Sequence, residues 1–371
     1  MASRIVRVGV IGCGEIAQVA HIPTFNFLSD YFQVTYLCDI SANALEHCRR
    51  KVAGSPPKIT KSAEELCSAA EVDAVLVCNA SAYHTEHALL ALKNNKSVLV
   101  EKPLTSSHRD IDQLQAAEKA SKGRLMVGYM RRYAKGFLDA IAEIGGISQI
   151  QYVRVRDIIG HNSASVAQSG TFPKRFDDYA PEDSQALKDK ERMAVDGALS
   201  TYGVPSNDET RRMLMLLGGL GTHDLSAMRE SIGMPKSVKA AVLKQPIWTA
   251  TFDYGTFPVV YESGVNQVPL FDAHIEVYGP DKIVRVNYDT PYIKGLPTTM
   301  TVREKTTGPR GEGCYQERYV RTTYEDNYTV EFKEWYESIV NGKEIKTTIE
   351  DARQDVDLIQ MLMREGFPSV Q

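Results

Sequence analysis

The sequence predicts a doubly wound parallel α/β sheet at its start, followed by an α+β domain with a large, mostly antiparallel open sheet. Strand-like and helix-like segments alternate over about 125 residues, which is typical of a parallel sheet covered by helices. The segments VDAVLVC and SVLVE are almost continuously apolar, as expected for strands buried on both faces. After about Ile150, strand-like segments follow one another with few helices between them, which indicates antiparallel pairing.

The hydrophobic pattern predicts the elements of the first domain, residues 1–128, in order along the chain. The predicted strands are residues 4–11, 33–38, 73–78, 97–100 and 125–128. The predicted helices are residues 15–28, 42–52, 63–69, 84–94 and 110–121.

The second domain is predicted to span residues 129–371. Its predicted strands are residues 150–158, 237–243, 248–254, 258–264, 273–279 and 282–288. A polar, charged insertion at about 171–212 interrupts them, with a helix over 183–200; it is either a flap over a cleft or an oligomer contact. Amphipathic helices at 330–340 and 350–364 end the chain, and we expect the last one to pack back toward the first domain.

Composition narrows the range of partners. The chain has 43 basic and 47 acidic residues and no basic block, which argues against nucleic acid and anionic membrane as partners. No apolar run approaches the roughly 20 residues of a membrane helix, and the N-terminus leads directly into a strand, so we expect no signal peptide. The six cysteines form no Cys-x-x-Cys pair and no metal-ligand set is evident. A cytoplasmic protein with reduced thiols and no metal is expected.

The segment VGVIGCGEIA predicts a Rossmann phosphate-binding turn. Gly12, Gly14 and Ala17 form a G-x-G-x-x-A pattern between a strand and a helix. The first glycine permits a tight turn, the second lets a pyrophosphate approach the backbone, and the small third residue lets helix and strand pack closely. Glu15 and Ile16, at the start of the helix, are candidate cofactor contacts because helix N-termini attract phosphate.

Asp39 ends the second predicted strand, 25 residues after Gly14. A carboxylate at this place binds the ribose hydroxyls of NAD and repels the 2′-phosphate of NADP. The sequence therefore predicts NAD as cofactor, with NADP disfavoured. The alternative is a glycine turn followed by an acid that only caps a helix.

A second group of polar residues follows two later strands of the same domain. Asn79 and Ser81 follow one strand and His84 begins the next helix, while Glu101 and Lys102 end the next strand. Carboxyl ends of parallel strands share one edge of the sheet, where ligands bind, so all five are candidate cofactor contacts. A lysine beside nicotinamide could donate a hydrogen bond to the substrate oxygen. The alternative is a surface lysine paired with Glu101.

Taken together, the glycine turn, the N-x-S-x-x-H step, EKP, GYMRRY, GLGTHD and the closing EDARQDVDLIQML resemble the Gfo/Idh/MocA family over the whole chain. That family groups glucose–fructose oxidoreductase with inositol dehydrogenases. The resemblance implies a nicotinamide dehydrogenase whose second domain carries an open sheet. It also implies a homodimer or homotetramer formed through that sheet.

The resemblance assigns roles to three residues. Lys102 matches the lysine that contacts nicotinamide ribose and substrate, His223 matches the histidine of proton transfer, and Arg132 matches a position near the cleft. Polyol dehydrogenases of the family often carry acids where this chain has Gly219 and Ser226. A helix-capping or core histidine is therefore the alternative for His223.

Further polar residues are candidates for substrate contact: Asp157, His161, Asn162 and Asp224. A plain loop position is the alternative for His161. Trp248 either walls a pocket or packs against a sheet, and Arg131 either meets a carboxylated substrate or covers acidic side chains.

These observations predict an NAD-dependent oxidoreductase that acts on a secondary alcohol or ketone of a sugar, sugar acid or cyclic polyol. Lys102 and His223 are the predicted catalytic residues. One alternative is NAD-dependent cleavage or isomerisation of a glycoside by transient oxidation. Another is a regulator that binds NAD without chemistry.

Overall fold

The computed structural model describes residues 4–368, and the chain forms two compact units. The first contains the described residues up to Tyr129, together with Val166–Ala198 and Glu331–Val356. The second contains Met130–Ser165, Leu199–Val330 and the described residues from Asp357 onward. This division differs from the predicted domains 1–128 and 129–371, because two later segments group with the first unit. Residues 1–3 and 369–371 of the predicted domains lie outside the described residues.

The first unit is built on a six-stranded parallel sheet with the order β3-β2-β1-β4-β5-β6. Its strands are β1 (Val6–Ile11), β2 (Phe32–Cys38), β3 (Lys58–Thr60), β4 (Ala74–Val77), β5 (Ser97–Glu101) and β6 (Leu125–Gly128). The strand order reverses between β1 and β4, which is where doubly wound sheets bind ligands. The predicted doubly wound sheet is confirmed.

Helices connect the strands of this sheet. They are α1 (Ile22–Phe27), α2 (Ala42–Lys51), α3 (Ala63–Ser68), α4 (His84–Lys93) and α5 (His108–Ala120). The predicted first helix, residues 15–28, differs in detail: a π-helical turn, Ala17–His21, precedes α1. Such turns are uncommon and occur frequently at functional sites.

The second unit contains an eight-stranded sheet with the order β14-β13-β12-β11-β7-β10-β9-β8. Its strands are β7 (Tyr152–Ile159), β8 (Ser237–Val242), β9 (Ile247–Asp253), β10 (Pro258–Val265), β11 (Phe271–Tyr278), β12 (Lys282–Tyr288), β13 (Thr299–Thr307) and β14 (Gly313–Val320). Only the β7–β10 pair is parallel, so the predicted mostly antiparallel sheet is confirmed. Assembly of subunits through this sheet stays a prediction.

The remaining helices follow in chain order: α6 (Met130–Tyr133), α7 (Lys135–Ile144), α8 (Ser163–Gln168), α9 (Pro181–Tyr202), α10 (Asp208–Leu216), α11 (Thr222–Ile232), α12 (Asn327–Val340) and α13 (Ile349–Gly366). A π-helical turn, Leu217–Gly221, joins α10 to α11. The predicted helix of the insertion, residues 183–200, corresponds to α9, which extends beyond it at both ends.

Aromatic packing explains why residues 331–356 belong to the first unit. The ring of Phe332, on α12, lies 4.8 Å from that of Phe25, and Trp335 stacks on Phe32 at 5.6 Å. All four side chains are buried, so α12 completes the apolar core beside β2. The start of α13 also reaches this unit, since Arg353 pairs with Asp112 of α5 at 2.6 Å.

Within residues 4–368, no helix is long and apolar enough to cross a membrane. The same residues contain no group of three or more His, Cys, Asp or Glu side chains arranged to hold a metal ion.

Candidate functional site

The glycine turn after β1 has the geometry that a bound pyrophosphate requires. Gly12 has a φ of +105°, and a Cβ there would lie 2.6 Å from the backbone nitrogen of Asn79. Gly14 has no atom within 4 Å of the place where its Cβ would be. The first glycine is therefore needed for the fold of the turn, while the second leaves open space beside the start of a helical segment.

Asp39 is tied directly to this turn. Its Oδ2 accepts the backbone N–H of Cys13 at 2.8 Å, and its Oδ1 accepts that of Ser41 at 2.9 Å. A carboxylate oxygen has two lone pairs, so each oxygen can accept one more hydrogen bond. Asp39 is half-buried at the end of β2 and fits a pair of ribose hydroxyls. The open space at Gly14, the start of the helical segment that follows it and the Asp39 carboxylate together fit the adenosine half of a nicotinamide dinucleotide.

His84 connects the two strand ends that carry the other candidates. Its Nδ1 lies 2.8 Å from the Pro103 carbonyl oxygen, and its Nε2 lies 3.1 Å from that of Asn79. Burial lowers the pKa of His84, and the two carbonyls only partly oppose this. A neutral ring has one N–H, so it donates to only one of these carbonyls, and its other nitrogen forms no hydrogen bond with the second. His84 thus fixes the segment after Lys102 against the end of β4.

Glu101 is a buried acid that supports the backbone of Lys102. Its Oε1 lies 3.0 Å from His21 Nε2, and its Oε2 accepts the Lys102 backbone N–H at 3.1 Å. Burial raises the pKa of Glu101, but the hydrogen bond and charge of His21, with the charge of Lys102, lower it below its usual value. The half-buried Lys102 is therefore held next to an ionised carboxylate.

The remaining cofactor candidates occupy varied positions. Glu15 is exposed at the start of the helical segment, 3.8 Å from Arg175, and Ile16 is half-buried. Ser81 is exposed in the turn before α4. Arg132 is buried in the second unit and pairs with Glu230 at 2.5 Å. Contact of these residues with a cofactor stays a prediction.

In the second unit, His223 lies at the start of α11 and is half-buried, with Nδ1 in the interior. Asp224, the next residue, points inward and bonds to Arg131. Arg131 Nη2 also lies 3.0 Å from Asp157 Oδ2. Of the two roles left open for Arg131, this contact fits the covering of acidic side chains. His223 thus directly precedes, in the chain, a residue of a buried charged cluster.

The four residues that are candidates for substrate contact differ in their burial. Asp157 and Asp224 are fully buried with Arg131, whereas His161 is exposed. Asn162 is half-buried and its amide donates to Tyr292 Oη at 3.1 Å. Substrate contact of these residues stays a prediction.

Three polar residues of the second sheet lie near one another in the interior. Tyr261 and Ser263 were not among the predicted site residues, and Trp248 was left between a pocket wall and sheet packing. Trp248, Tyr261 and Ser263 are almost completely buried, and a Cβ on Gly221 would lie 2.9 Å from Tyr261 Oη. They therefore lie beneath the turn that leads into His223. The alternation of side chains along PVVYESG could have indicated that Tyr261 and Ser263 face the interior. The burial of Trp248 agrees with its packing against the sheet.

Comparison with known proteins agrees with this geometry. Residues 6–129 match the family model described as "Oxidoreductase family, NAD-binding Rossmann fold". Inositol 2-dehydrogenase 3 of Saccharopolyspora erythraea is 35% identical over 145 residues, which are 38% of this chain and 42% of that protein. The match thus covers less than half the length of that relative. The scyllo-inositol 2-dehydrogenase (NADP(+)) of Bacillus subtilis is 23% identical over 74% of this chain and 67% of its own length.

The fold of the whole chain is also found in a solved structure. KijD10, a 3-ketoreductase from Actinomadura kijaniata in complex with NADP and TDP-benzene, superposes with a TM-score of 0.71. The superposition covers 98% of both chains at 15% identity, which supports the fold alone. Residues 6–129 thus resemble the nucleotide-binding domain of the Gfo/Idh/MocA oxidoreductases, whose family model they match.

Proposed function

We propose that this protein is an NAD-dependent oxidoreductase that transfers a hydride between nicotinamide and a secondary alcohol or ketone of a sugar, sugar acid or cyclic polyol. The observation that carries the proposal is the open space at Gly14 beside the Asp39 carboxylate. The family match and the inositol dehydrogenase relatives support the same class of reaction.

NAD supplies the hydride acceptor at nicotinamide C4 when it is bound. Asp39 binds the adenosine ribose, and the start of the helical segment after Gly14 faces the pyrophosphate. Other residues proposed to contact the cofactor are Gly12, Glu15, Ile16, Asn79, Ser81, His84, Glu101, Lys102 and Arg132. NAD is preferred over NADP because a carboxylate at Asp39 repels a 2′-phosphate.

Lys102 is proposed to donate a hydrogen bond from Nζ to the oxygen of the reacting carbon. Its ammonium would stabilise the negative charge on this oxygen, which develops when the hydroxyl proton is removed during oxidation or when hydride reaches the carbonyl carbon during reduction. The buried Glu101 and the contact of His84 with the Pro103 carbonyl keep the backbone of Lys102 in place. Positioning of this kind supports catalysis because small displacements of a reacting group are costly.

His223 is proposed to take the hydroxyl proton during oxidation and to return it during reduction. Because its Nδ1 is buried, Nε2 is the nitrogen that would exchange the proton. His161 and Asn162 are the remaining candidates for substrate contact. Asp157 and Asp224 are proposed to act through Arg131, by holding the start of α11 in place.

The test begins with calorimetric titration of NAD and NADP into the wild-type protein. A panel of sugars, sugar acids and cyclitols is then assayed for NADH absorbance. We expect NAD to bind more tightly than NADP and one compound class to be turned over. Lys102→Ala and His223→Gln should each lower kcat by about 10²- to 10⁴-fold, and the NAD affinity of His223→Gln should change little.

Lys93→Ala is the matched control for Lys102→Ala. Lys93 is an exposed lysine in the last turn of α4, and that end of the helix lies at the opposite edge of the sheet from Lys102. Full turnover by a folded Lys102→Ala protein would contradict the role of Lys102. Tight NAD binding without NADH formation from any compound on the panel would contradict the dehydrogenase activity.

A further inference from the structure

Residues 171–178, here called the strap, cross the surface of the nucleotide-binding unit. The side chain of Gln18, in the π-helical turn after the glycine motif, makes two hydrogen bonds with Lys174. Its Nε2 donates to the Lys174 carbonyl at 3.0 Å, and its Oε1 accepts the Lys174 N–H at 2.8 Å. Gln18 is almost completely buried, so this pair of bonds fixes the strap to the helix that follows the glycine turn.

Two contacts with α2 hold the strap on its other side. The Lys51 ammonium donates to the Thr171 carbonyl, and the Phe176 ring lies 5.5 Å from that of His47. The strap therefore contacts the helical segments that precede and follow β2 in the chain, and Asp39 comes directly after this strand.

The strap places a second carboxylate at the end of β2. Asp178 accepts hydrogen bonds from the Ser41 hydroxyl and, at 3.0 Å, from the backbone N–H of Asn43. Ser41 Oγ in turn accepts the Ala44 N–H at 2.9 Å, and the Ser41 N–H is bonded to Asp39. Three backbone donors at the start of α2 are thus already occupied by groups of this chain.

This arrangement is unfavourable for a phosphate. Rossmann domains that accept NADP hold its 2′-phosphate at the end of β2, beside a cationic side chain. Here that place carries two carboxylates. The Ser41 hydrogen bond, the Asn43 N–H and, more weakly, the charge of Lys61 lower the pKa of Asp178, so this carboxylate is ionised.

We propose that Asp178 is a specificity-determining residue, which excludes the 2′-phosphate of NADP by occupying the Asn43 N–H and by its negative charge, while Asp39 binds the ribose. The inference rests on the proposed function, since it requires that the protein bind a nicotinamide dinucleotide. Its physical basis is that a third negative group beside two carboxylates costs Coulomb energy, while NAD brings no charge to this place.

The test compares dissociation constants of NAD and NADP by calorimetry for wild-type, Asp178→Asn and Asp178→Ala. Asparagine removes the charge but keeps an oxygen that can accept the Asn43 N–H, whereas alanine also removes the anchor. We expect Asp178→Asn to lower the Kd of NADP by about tenfold and to leave the Kd of NAD nearly unchanged. Asp177→Asn is the matched control, because it removes the same charge one residue earlier, and it should change neither constant.

Limited proteolysis of each variant shows whether the substitution has loosened the strap. It therefore separates a change in the selectivity between NAD and NADP from a loss of the strap's attachment. The proposal is overturned if Asp178→Asn leaves the ratio of the two constants unchanged, or weakens both cofactors equally as the strap becomes cleavable. Wild-type protein that binds NADP as tightly as NAD overturns it while the proposed dehydrogenase survives. Wild-type protein that binds neither cofactor contradicts the proposed function, and the inference falls with it.

Discussion

The Arg131 guanidinium lies 3.0 Å from the Asp157 carboxylate, and neither side chain is more than 4% exposed. Asp224 bonds to the same guanidinium, whose carbon lies 4.8 Å from the centre of the Tyr288 ring. Burial and then the charge of Asp157 raise the pKa of Asp224 well above its usual value. The raised pKa favours the protonated form of Asp224 within the cluster of Arg131, Asp157 and Asp224.

Loss of the cation should be much more costly than loss of the protonated acid. Arg131→Ala leaves a buried carboxylate without its partner, and we expect the free energy of unfolding to fall by about 3–5 kcal/mol. Asp224→Asn keeps an oxygen for Arg131 and an N–H in place of the shared proton, so its cost should be at most about 1 kcal/mol. Urea denaturation at neutral pH measures both values. Equal losses would show that Asp224 is ionised in the folded protein.

The two glycines of the turn should respond differently to alanine. Gly12→Ala places a Cβ 2.6 Å from the Asn79 nitrogen at a φ of +105°, so we expect a loss of at least about 2 kcal/mol in stability. Gly14→Ala meets no atom within 4 Å and should leave stability almost unchanged. It should nevertheless weaken NAD binding, because the new methyl group fills the space proposed for the pyrophosphate. Thermal unfolding and calorimetry measure the two effects, and unchanged NAD affinity in Gly14→Ala would place the pyrophosphate elsewhere.

Removal of the His84 ring should reduce both stability and turnover. The ring bridges the carbonyls of Asn79 and Pro103, and its loss should cost about 1–3 kcal/mol in the free energy of unfolding. Since Pro103 follows Lys102, kcat of His84→Ala should also fall. His87→Ala is the control, because His87 contacts the side chain of Asn79 and leaves the Pro103 bond intact. Wild-type kcat in a destabilised His84→Ala protein would limit the role of His84 to stability.

Glu331 predicts a pH dependence of stability. It is fully buried, its oxygens have no hydrogen-bond partner among residues 4–368, and burial, followed by the Glu101 charge, raises its pKa well above the usual value. The folded protein therefore keeps a proton that the unfolded chain loses above about pH 4.3, and stability from this group falls as pH rises from there toward the raised pKa.

Glu331→Gln should remove this contribution. Its melting temperature relative to wild type is expected to rise as the pH increases from about 4.3 toward the raised pKa, because only the wild-type side chain ionises on unfolding in this range, which stabilises its unfolded chain. Calorimetry across this range measures the difference. Glu334→Gln, on the same helix and paired with Lys343 at 2.6 Å, is the control. A pH-independent difference for Glu331→Gln would show that Glu331 is not protonated in the folded state.

Local patterns were sufficient for most of the parallel sheet. Continuous apolar runs identified every strand except β3, and β6 was predicted with the bounds that the structure has, Leu125–Gly128. The serines before α2 and α3 bond to the helix N–H groups, which explains why both helices begin as predicted. The requirement for glycine at position 12 was also local, since it follows from the turn between strand and helix.

Strands without an apolar pattern were missed. β3 has three residues, of which Lys58 and Ile59 are exposed, so its sequence resembles a loop. β14 is exposed along almost its whole length, and the outer half of β13 that pairs with it is also polar. These strands form through ladder hydrogen bonds to a neighbour already in the sheet, which their own side chains do not encode.

The chain's own sequence was enough to predict its two kinds of sheet, the glycine turn and the carboxylate of Asp39 beside it, because each depends on residues close together along the chain. The partners of these charged groups depended on folding. Arg131 meets Asp224 across 93 positions, and Asp178 meets Ser41 across 137. No periodicity connects residues so far apart. Burial raises the pKa of Asp224, whereas the Ser41 hydrogen bond and the Asn43 N–H lower the pKa of the exposed Asp178 beside the predicted cofactor site.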